Sequence, residues 1–270
     1  MREFEYLRPE DVATAGRQRA EDEEASFLAG GMTLIPSMKN GLAAPSALID
    51  LSGIADLAGI RERGETLEIG AMTRHCDVAA SALVTGRIPA LAGLAGGIGD
   101  PAVRHRGTIG GSLANSDPSA DYPAGVLGLN ATVITDRRAI PADDFFFDLF
   151  ETALEDGELI VAIRFPCPLR ASYRKVRSQA SGYAVVGVMV AELTGGEIRV
   201  AVTGAGHTAF RATALETALQ ERFDPDALDG ISLPHDDLLS DIHASAEYRA
   251  HRVVVEARRA VASLMNGQTR

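Results

Sequence analysis

The stretch from Gly96 to Asp121, GGIGDPAVRHRGTIGGSLANSDPSAD, constrains this chain more than any other part of it. Glycines, hydroxyls and small side chains dominate. Apolar residues nevertheless recur throughout, so the composition is that of an ordered wrap and not of a flexible linker. A segment of this kind can lie close against a polar ligand, donating backbone N–H groups and accepting from ligand hydroxyls. Asp121 follows an expected helix start at Ser119. A carboxylate there suits the hydroxyls of a ribityl or ribose chain. It is equally readable as an ordinary acid favoured by the helix dipole.

A second glycine turn lies upstream, in Leu28-Ala29-Gly30-Gly31-Met32-Thr33-Leu34-Ile35-Pro36. It falls between an expected strand, Ser26 to Ala29, and an expected helix from Thr33 to Asn40 with Pro36 in its first turn, where a missing N–H is tolerated. Successive N–H groups at such a turn favour an anion, a phosphate above all. The sequence carries neither Gly-x-Gly-x-x-Gly nor Gly-x-x-x-x-Gly-Lys here, and a Gly-Gly pair by itself is most often only a turn.

Around these loops the chain divides into three regions, 1–52, 53–168 and 169–270. In the first, residues 10–20 read as a short helix and Ala47 to Leu51 as a strand. In the second, Thr66 to Ala71 alternates as a strand does. Thr73 is the expected N-cap of a helix reaching Ser81. Ile88 to Ala95 reads as helix, and Ala131 to Thr135 and Leu159 to Phe165 as strands. Pro166 and Pro168 mark a boundary. In the third, Tyr173 to Arg177, Tyr183 to Leu193 and Glu197 to Thr203 suggest three antiparallel strands, with a hairpin turn at Thr194-Gly195-Gly196. Helices follow at Ala212 to Glu221 and Ser245 to Met265, the second with Ala246, Val254, Ala257, Val261 and Leu264 on one stripe. The whole is α+β with mixed sheets, not a regular βαβ alternation.

A net charge of −11, from 26 basic against 37 acidic residues, disfavours nucleic acid and anionic lipid as partners. The basic run Arg170 to Arg177 can still meet a phosphate or an acidic partner, or form a solvated edge strand. No apolar run approaches the roughly 20 residues that span a bilayer. The charged N-terminus lacks the apolar centre of a secretory signal, so the expected location is the cytoplasm. Cys76 and Cys167 are too few to hold an iron–sulfur cluster and read as buried small hydrophobes. The histidines show no zinc-ligand spacing. No catalytic side-chain constellation stands out.

At the two loops the sequence resembles the medium, FAD-binding subunits of molybdenum hydroxylases, the group that includes aerobic carbon monoxide dehydrogenase and xanthine dehydrogenase. The match is carried by Ala29 to Pro36 and by Thr108-Ile109-Gly110-Gly111-Ser112 with its flanks. Pro45 to Ile54 and Ser245 to Arg249 are also family-like, and the resemblance spans essentially the whole chain. It implies an FAD-binding fold of the vanillyl-alcohol-oxidase type. Two small α/β subdomains, 1–52 and 53–168, clasp the cofactor, and a C-terminal domain, 169–270, supplies a three-stranded sheet with helices. It implies that Ala29, Gly30, Gly31, Met32, Thr33 and Leu34, with Thr108, Ile109, Gly110, Gly111 and Ser112, hold the pyrophosphate. Val103 belongs to the same cofactor-binding set. Asp121 would take the ribityl or ribose part, Asn115 and Ser116 would lie near the flavin, and Ile160 would pack on the ring system. Lys175 and Tyr183 fall in a segment that closes over the flavin.

By the same resemblance, the partners are a molybdopterin-binding large subunit and a small subunit with two [2Fe–2S] clusters. Electrons would pass from those clusters through FAD to an external acceptor. Met32 departs from the polar residue frequent in relatives, and the DRRAIPA turn after Thr135 is short. Two other readings are a stand-alone flavin oxidase or dehydrogenase, for which His75 and His105 are the nearest covalent-attachment candidates, and a scaffold that has lost its cofactor.

Overall fold

The computed structural model describes residues 1–267. Three sheets follow one another along the chain, with a small two-stranded ribbon, Phe146–Asp148 with Glu151–Thr152, inserted before the last strand of the second. The first sheet is parallel. Ala47–Asp50 lies at its centre, between Glu5–Leu7 and Ser26–Leu28. The helix Val12–Glu21 provides the crossover between two of these strands, and Asp11 caps it by accepting from the Thr14 amide. The edge strand Glu5–Leu7 is only three residues long and mostly exposed, so no alternation announces it.

The second sheet is antiparallel, in the order Ile60–Arg63, Thr66–Gly70, Ile160–Pro166, Thr132–Thr135, Ala139–Pro141. Its middle strand, Ile160–Pro166, pairs on both sides. Short helices cover one face, and their apolar sides form the largest core with Leu67, Ile69, Ile163 and Phe165. Pro89–Gly96 opens with its proline at the first helical position, where no N–H is needed. The stretch Gly96 to Asp121, read as an ordered wrap, contains two further helices. Pro101–Arg106 is capped by Asp100, and Ile109–Asn115 by Thr108. Helices of six or seven residues are too short to persist alone. Ile109 and Leu113, both wholly buried, hold the second of them in place.

Two helix starts differ from the sequence reading. Thr73 does not cap the helix His75–Ala80; its hydroxyl donates to the Gly59 carbonyl and accepts from the Gly59 amide, so it joins two loops instead. The helix after the wrap begins at Tyr122, not Ser119, and Asp121 stands at its N-cap position without capping it.

The third sheet has four strands where three were expected: Arg170–Arg177, Ala184–Glu192, Ile198–Thr203 and the two-residue Phe210–Arg211. Its faces divide by strict alternation. Val186, Val188 and Val190 meet the helices Thr213–Glu221 and Ala246–Met265 in a separate core. Met189, Ala191, Ala201, Ala171 and Tyr173 face the other way and join the core of the second sheet. The buried stripe of the last helix is rotated from the expected one. Val253, Ala257, Ala260, Val261 and Leu264 lie inside, while Ala246 and Val254 are only half-buried. Both cysteines are free and half-buried, not the core residues they were read as. Among the described residues, no helix is long and apolar enough to cross a membrane.

Candidate functional site

Between the first two sheets lies a cleft of about 780 Å³, within the usual range for cofactor sites. The first glycine turn forms one wall. It leaves strand Ser26–Leu28 and enters helix Leu34–Lys39, with Gly31 in the left-handed region at φ +71 and its carbonyl accepting from the Ile35 amide at 3.1 Å. Among the described residues, the backbone N–H groups from Gly30 to Leu34 meet no protein acceptor. A run of unmatched donors on a concave surface is suited to an anion.

The second glycine turn faces the first across a very short gap. A Cβ on Gly30 would stand 2.1 Å from the Arg106 carbonyl oxygen and 2.8 Å from the Gly107 Cα. One on Gly111 would lie 3.3 Å from the Ala29 Cβ. The close approach at Gly30 thus requires a residue without a side chain, and Gly111 leaves little room for one.

Their amides are not alike. The Ile109 and Gly110 amides donate to the Thr73 and Ala71 carbonyls at 3.1 and 2.8 Å. The Gly111 amide donates to the Thr108 hydroxyl at 3.2 Å, and the Ser112 amide to the Thr108 carbonyl at 3.0 Å. The picture of two turns each offering free amides therefore holds for the first turn only. What the second offers the cleft is its surface and the side chains of Ser112 and Asn115.

Of the residues expected at the site, Ala29 to Leu34, Val103, Thr108, Gly110, Gly111, Ser112, Asn115, Asp121, Ile160 and Tyr183 line this cleft. Ile109, Ser116 and Lys175 do not. Ile109 is wholly buried beneath the turn. Ser116 is a left-handed helix cap at φ 45, its amide turned back to the Leu113 carbonyl. Lys175 stands behind the wall, its ammonium 2.9 Å from one Asp121 oxygen and 3.1 Å from the Gly97 carbonyl. Asp121 is 3% exposed, and its other oxygen accepts from the Tyr173 hydroxyl at 2.6 Å. Burial pushes this carboxyl above the ordinary carboxylate range, while Lys175 and Tyr173 pull it back. Tyr183 is half-exposed at the rim, immediately before its strand and not within it.

Several lining residues were not anticipated. His75, weighed only as an attachment point, is 5% exposed on the cleft floor, and burial with Arg104 nearby lowers its pKa to about 4. Its ring lies 5.3 Å from that of Tyr122, and its Nδ1 has no partner. His105 lies outside the cleft. Asp117 lines the cleft with its carboxyl pushed up by burial. The segment Leu154 to Leu159 forms the far rim, where Glu158 accepts from Arg138, Thr135 and the Glu155 amide and is held down to about 2. The Glu158 bonds to Arg138 and Thr135 join positions 20 and 23 residues apart, and no local pattern marks them.

These residues fit a dinucleotide. The cleft is large enough, has an open set of anion donors along one wall, and carries a buried carboxylate for hydroxyls on another.

Comparison with known proteins agrees with this geometry. Residues 2–168 match the family described as the FAD binding domain in molybdopterin dehydrogenase. Residues 170–264 match the CO dehydrogenase flavoprotein C-terminal domain. The carbon monoxide dehydrogenase medium chain of Hydrogenophaga pseudoflava is 39% identical over 77% of each chain. The nicotine 6-hydroxylase medium subunit of Paenarthrobacter nicotinovorans is 32% identical over 93% of each. A solved structure of carbon monoxide dehydrogenase from Hydrogenophaga pseudoflava, lacking the Mo-pyranopterin moiety of its cofactor, superposes with a TM-score of 0.88 at 35% identity, covering 98% of both chains. With both halves of the chain matched and the cleft built as it is, this protein belongs to the FAD-binding medium subunits of the molybdenum hydroxylases, of the carbon monoxide dehydrogenase type.

Proposed function

We propose that this chain is the electron-transfer subunit of a cytoplasmic three-component hydroxylase. Substrate is oxidised in a molybdopterin-binding large subunit, and electrons arrive from [2Fe–2S] clusters in a small subunit. They leave through this chain to an external acceptor. The observation that carries the reading is the meeting of the two glycine turns on one cleft, with the free amides of Gly30 to Leu34 along it. Cys76 and Cys167 are too few to hold a cluster, which supports a donor cluster carried by a partner.

FAD, when bound, supplies the redox chemistry, accepting electrons singly and releasing them singly or in pairs. The protein's part is binding and position. The amides of Gly30 to Leu34 hold the diphosphate, and Thr108 to Ser112 close the opposite side. Asp121 accepts from polyol hydroxyls. Ile160 packs against the ring system, Asn115 and Ser112 lie beside the cofactor, and Tyr183 covers the mouth. No side chain of this chain takes a proton from substrate in this scheme.

The test is to express the chain with and without the neighbouring subunits. A yellow chain that releases FAD on denaturation, and that co-purifies with an iron–sulfur and a molybdenum subunit, is the expected result. Gly111→Val, which pushes into Thr108 and Ala29, should lower flavin content and the activity of the assembled enzyme together. A colourless chain that takes up no added FAD, or a Gly111→Val enzyme of full flavin content and activity, would count decisively against the proposal.

A further inference from the structure

The basic strand Arg170–Arg177 is an edge strand, yet Tyr173 on one face of it is buried and Lys175 half-buried, and only Arg177 at its end is exposed. By period-two alternation Tyr173, Lys175 and Arg177 project to the same side, the side on which the sheet joins the core beneath the cleft. Two of them converge on Asp121, and the third reaches the Gly99 carbonyl. The Tyr173 hydroxyl donates to Asp121, the Lys175 ammonium donates to Asp121 and to the Gly97 carbonyl, and Arg177 donates to the Gly99 carbonyl at 2.8 Å. Asp121 and Gly99 line the cleft; Lys175 does not.

We propose that this strand face is a positioning device: Tyr173 and Lys175 hold the Asp121 carboxylate oriented for the cofactor's polyol chain, so that FAD retention depends on two residues outside the cleft's lining. The inference rests on the reading of the cleft as an FAD site and deepens it. Its physical basis is the asymmetry of a buried ion pair. A carboxylate 3% exposed stays charged only if donors surround it, and each donor removed leaves an uncompensated group that rotates or takes a proton. Each Asp121 oxygen already accepts one bond from behind the wall, which fixes the plane of the carboxylate and leaves further lone pairs for hydroxyls on the cleft side.

The test is titration of the flavin-free full-length chain with FAD, followed by flavin fluorescence. The set is the parent, Tyr173→Phe, Lys175→Met, Asp121→Asn and the Lys175→Met/Asp121→Asn double variant, each checked for its melting temperature. Tyr173→Phe and Lys175→Met are expected to weaken FAD binding by about tenfold or more, the usual worth of a hydrogen bond to a charged group. In the Asp121→Asn background, Lys175→Met is expected to change affinity by no more than about twofold, because the group it acts through is gone. A structural role alone would lower the melting temperature and leave losses that add in the double variant. Unchanged affinity in both single variants, or additive losses, would overturn the positioning role while leaving the FAD site in place. A parent chain that binds no FAD would overturn both. Should Lys175→Met fail to fold, Tyr173→Phe decides alone, since it keeps the ring and the ion pair.

Discussion

The Cα of Gly30 lies so near the Arg106 carbonyl that a methyl group placed on it would stand 2.1 Å from that oxygen. The clash is with backbone, so no side-chain rotation relieves it. Gly30→Ala should force the two turns apart and cut flavin content to a small fraction of the parent's, with far-UV circular dichroism nearly unchanged. Flavin absorbance per chain after gel filtration measures this. Full flavin occupancy in Gly30→Ala would mean that the turns need not meet.

His75 makes the fold sensitive to mild acid. Its imidazole is held down to about 4 from its ordinary 6.5, chiefly by burial. The unfolded chain therefore takes up a proton on this side chain well before the folded chain does. The resulting stability is fully present above 6.5 and is lost progressively as pH falls toward 4. The loss across that window should approach about 3 kcal/mol. Urea unfolding of the parent and of His75→Gln above and below the window checks it. The parent should weaken in acid with a steeper slope than the variant, and equal slopes would remove His75 as the cause.

Glu158 acts in the same sense but at lower pH. Arg138, Thr135 and the Glu155 amide hold its carboxyl down to about 2 from 4.5, so its contribution is intact above 4.5 and disappears as pH falls toward 2. Glu158→Gln should cost about 1–3 kcal/mol near neutrality. The difference from the parent should shrink on acidification, which a series of melting curves would reveal.

A third electrostatic contact spans the boundary between the second and third sheets. Arg199, 5% exposed, donates to both oxygens of Asp143 at 2.9 and 3.0 Å and to the Leu127 carbonyl at 3.2 Å. Asp143 is partly exposed, so screening limits the pair. Asp143→Ala should lower stability by about 1–2 kcal/mol. Half or more of that difference should vanish in high salt, as a urea midpoint measured at two ionic strengths would show.

Much of this was legible in the chain itself, for definite reasons. Thr66 to Gly70 and Ala184 to Glu192 are strands because their apolar residues recur at the sheet period or run unbroken through a sheet buried on both faces. The two glycine turns stood out because their composition has few other uses. The short helices at Pro101 and Ile109 did not, since neither carries a full turn of amphipathic pattern and both depend on tertiary packing. The resemblance placed Lys175 in the segment that closes over the flavin, but period and motif give a side chain's face and not its partner within the protein. That partner, Asp121, is 54 residues away. For the same reason the amides of Ile109 and Gly110 looked free, although carbonyls nearly forty residues upstream already receive them.

That last feature bears on the chain before any cofactor reaches it. A wall whose polar groups answer one another internally keeps its contour when the cleft is empty. The opposite wall, with five consecutive amides open to water, gains its final hydrogen bonds only from a guest. Loading then resembles setting a hinge plate against a fixed jamb: the Gly30 to Leu34 segment settles while Ile109 to Ser112 stays still. Amide exchange in the flavin-free chain should accordingly be fast along the first segment and slow along the second, and addition of FAD should slow the first alone.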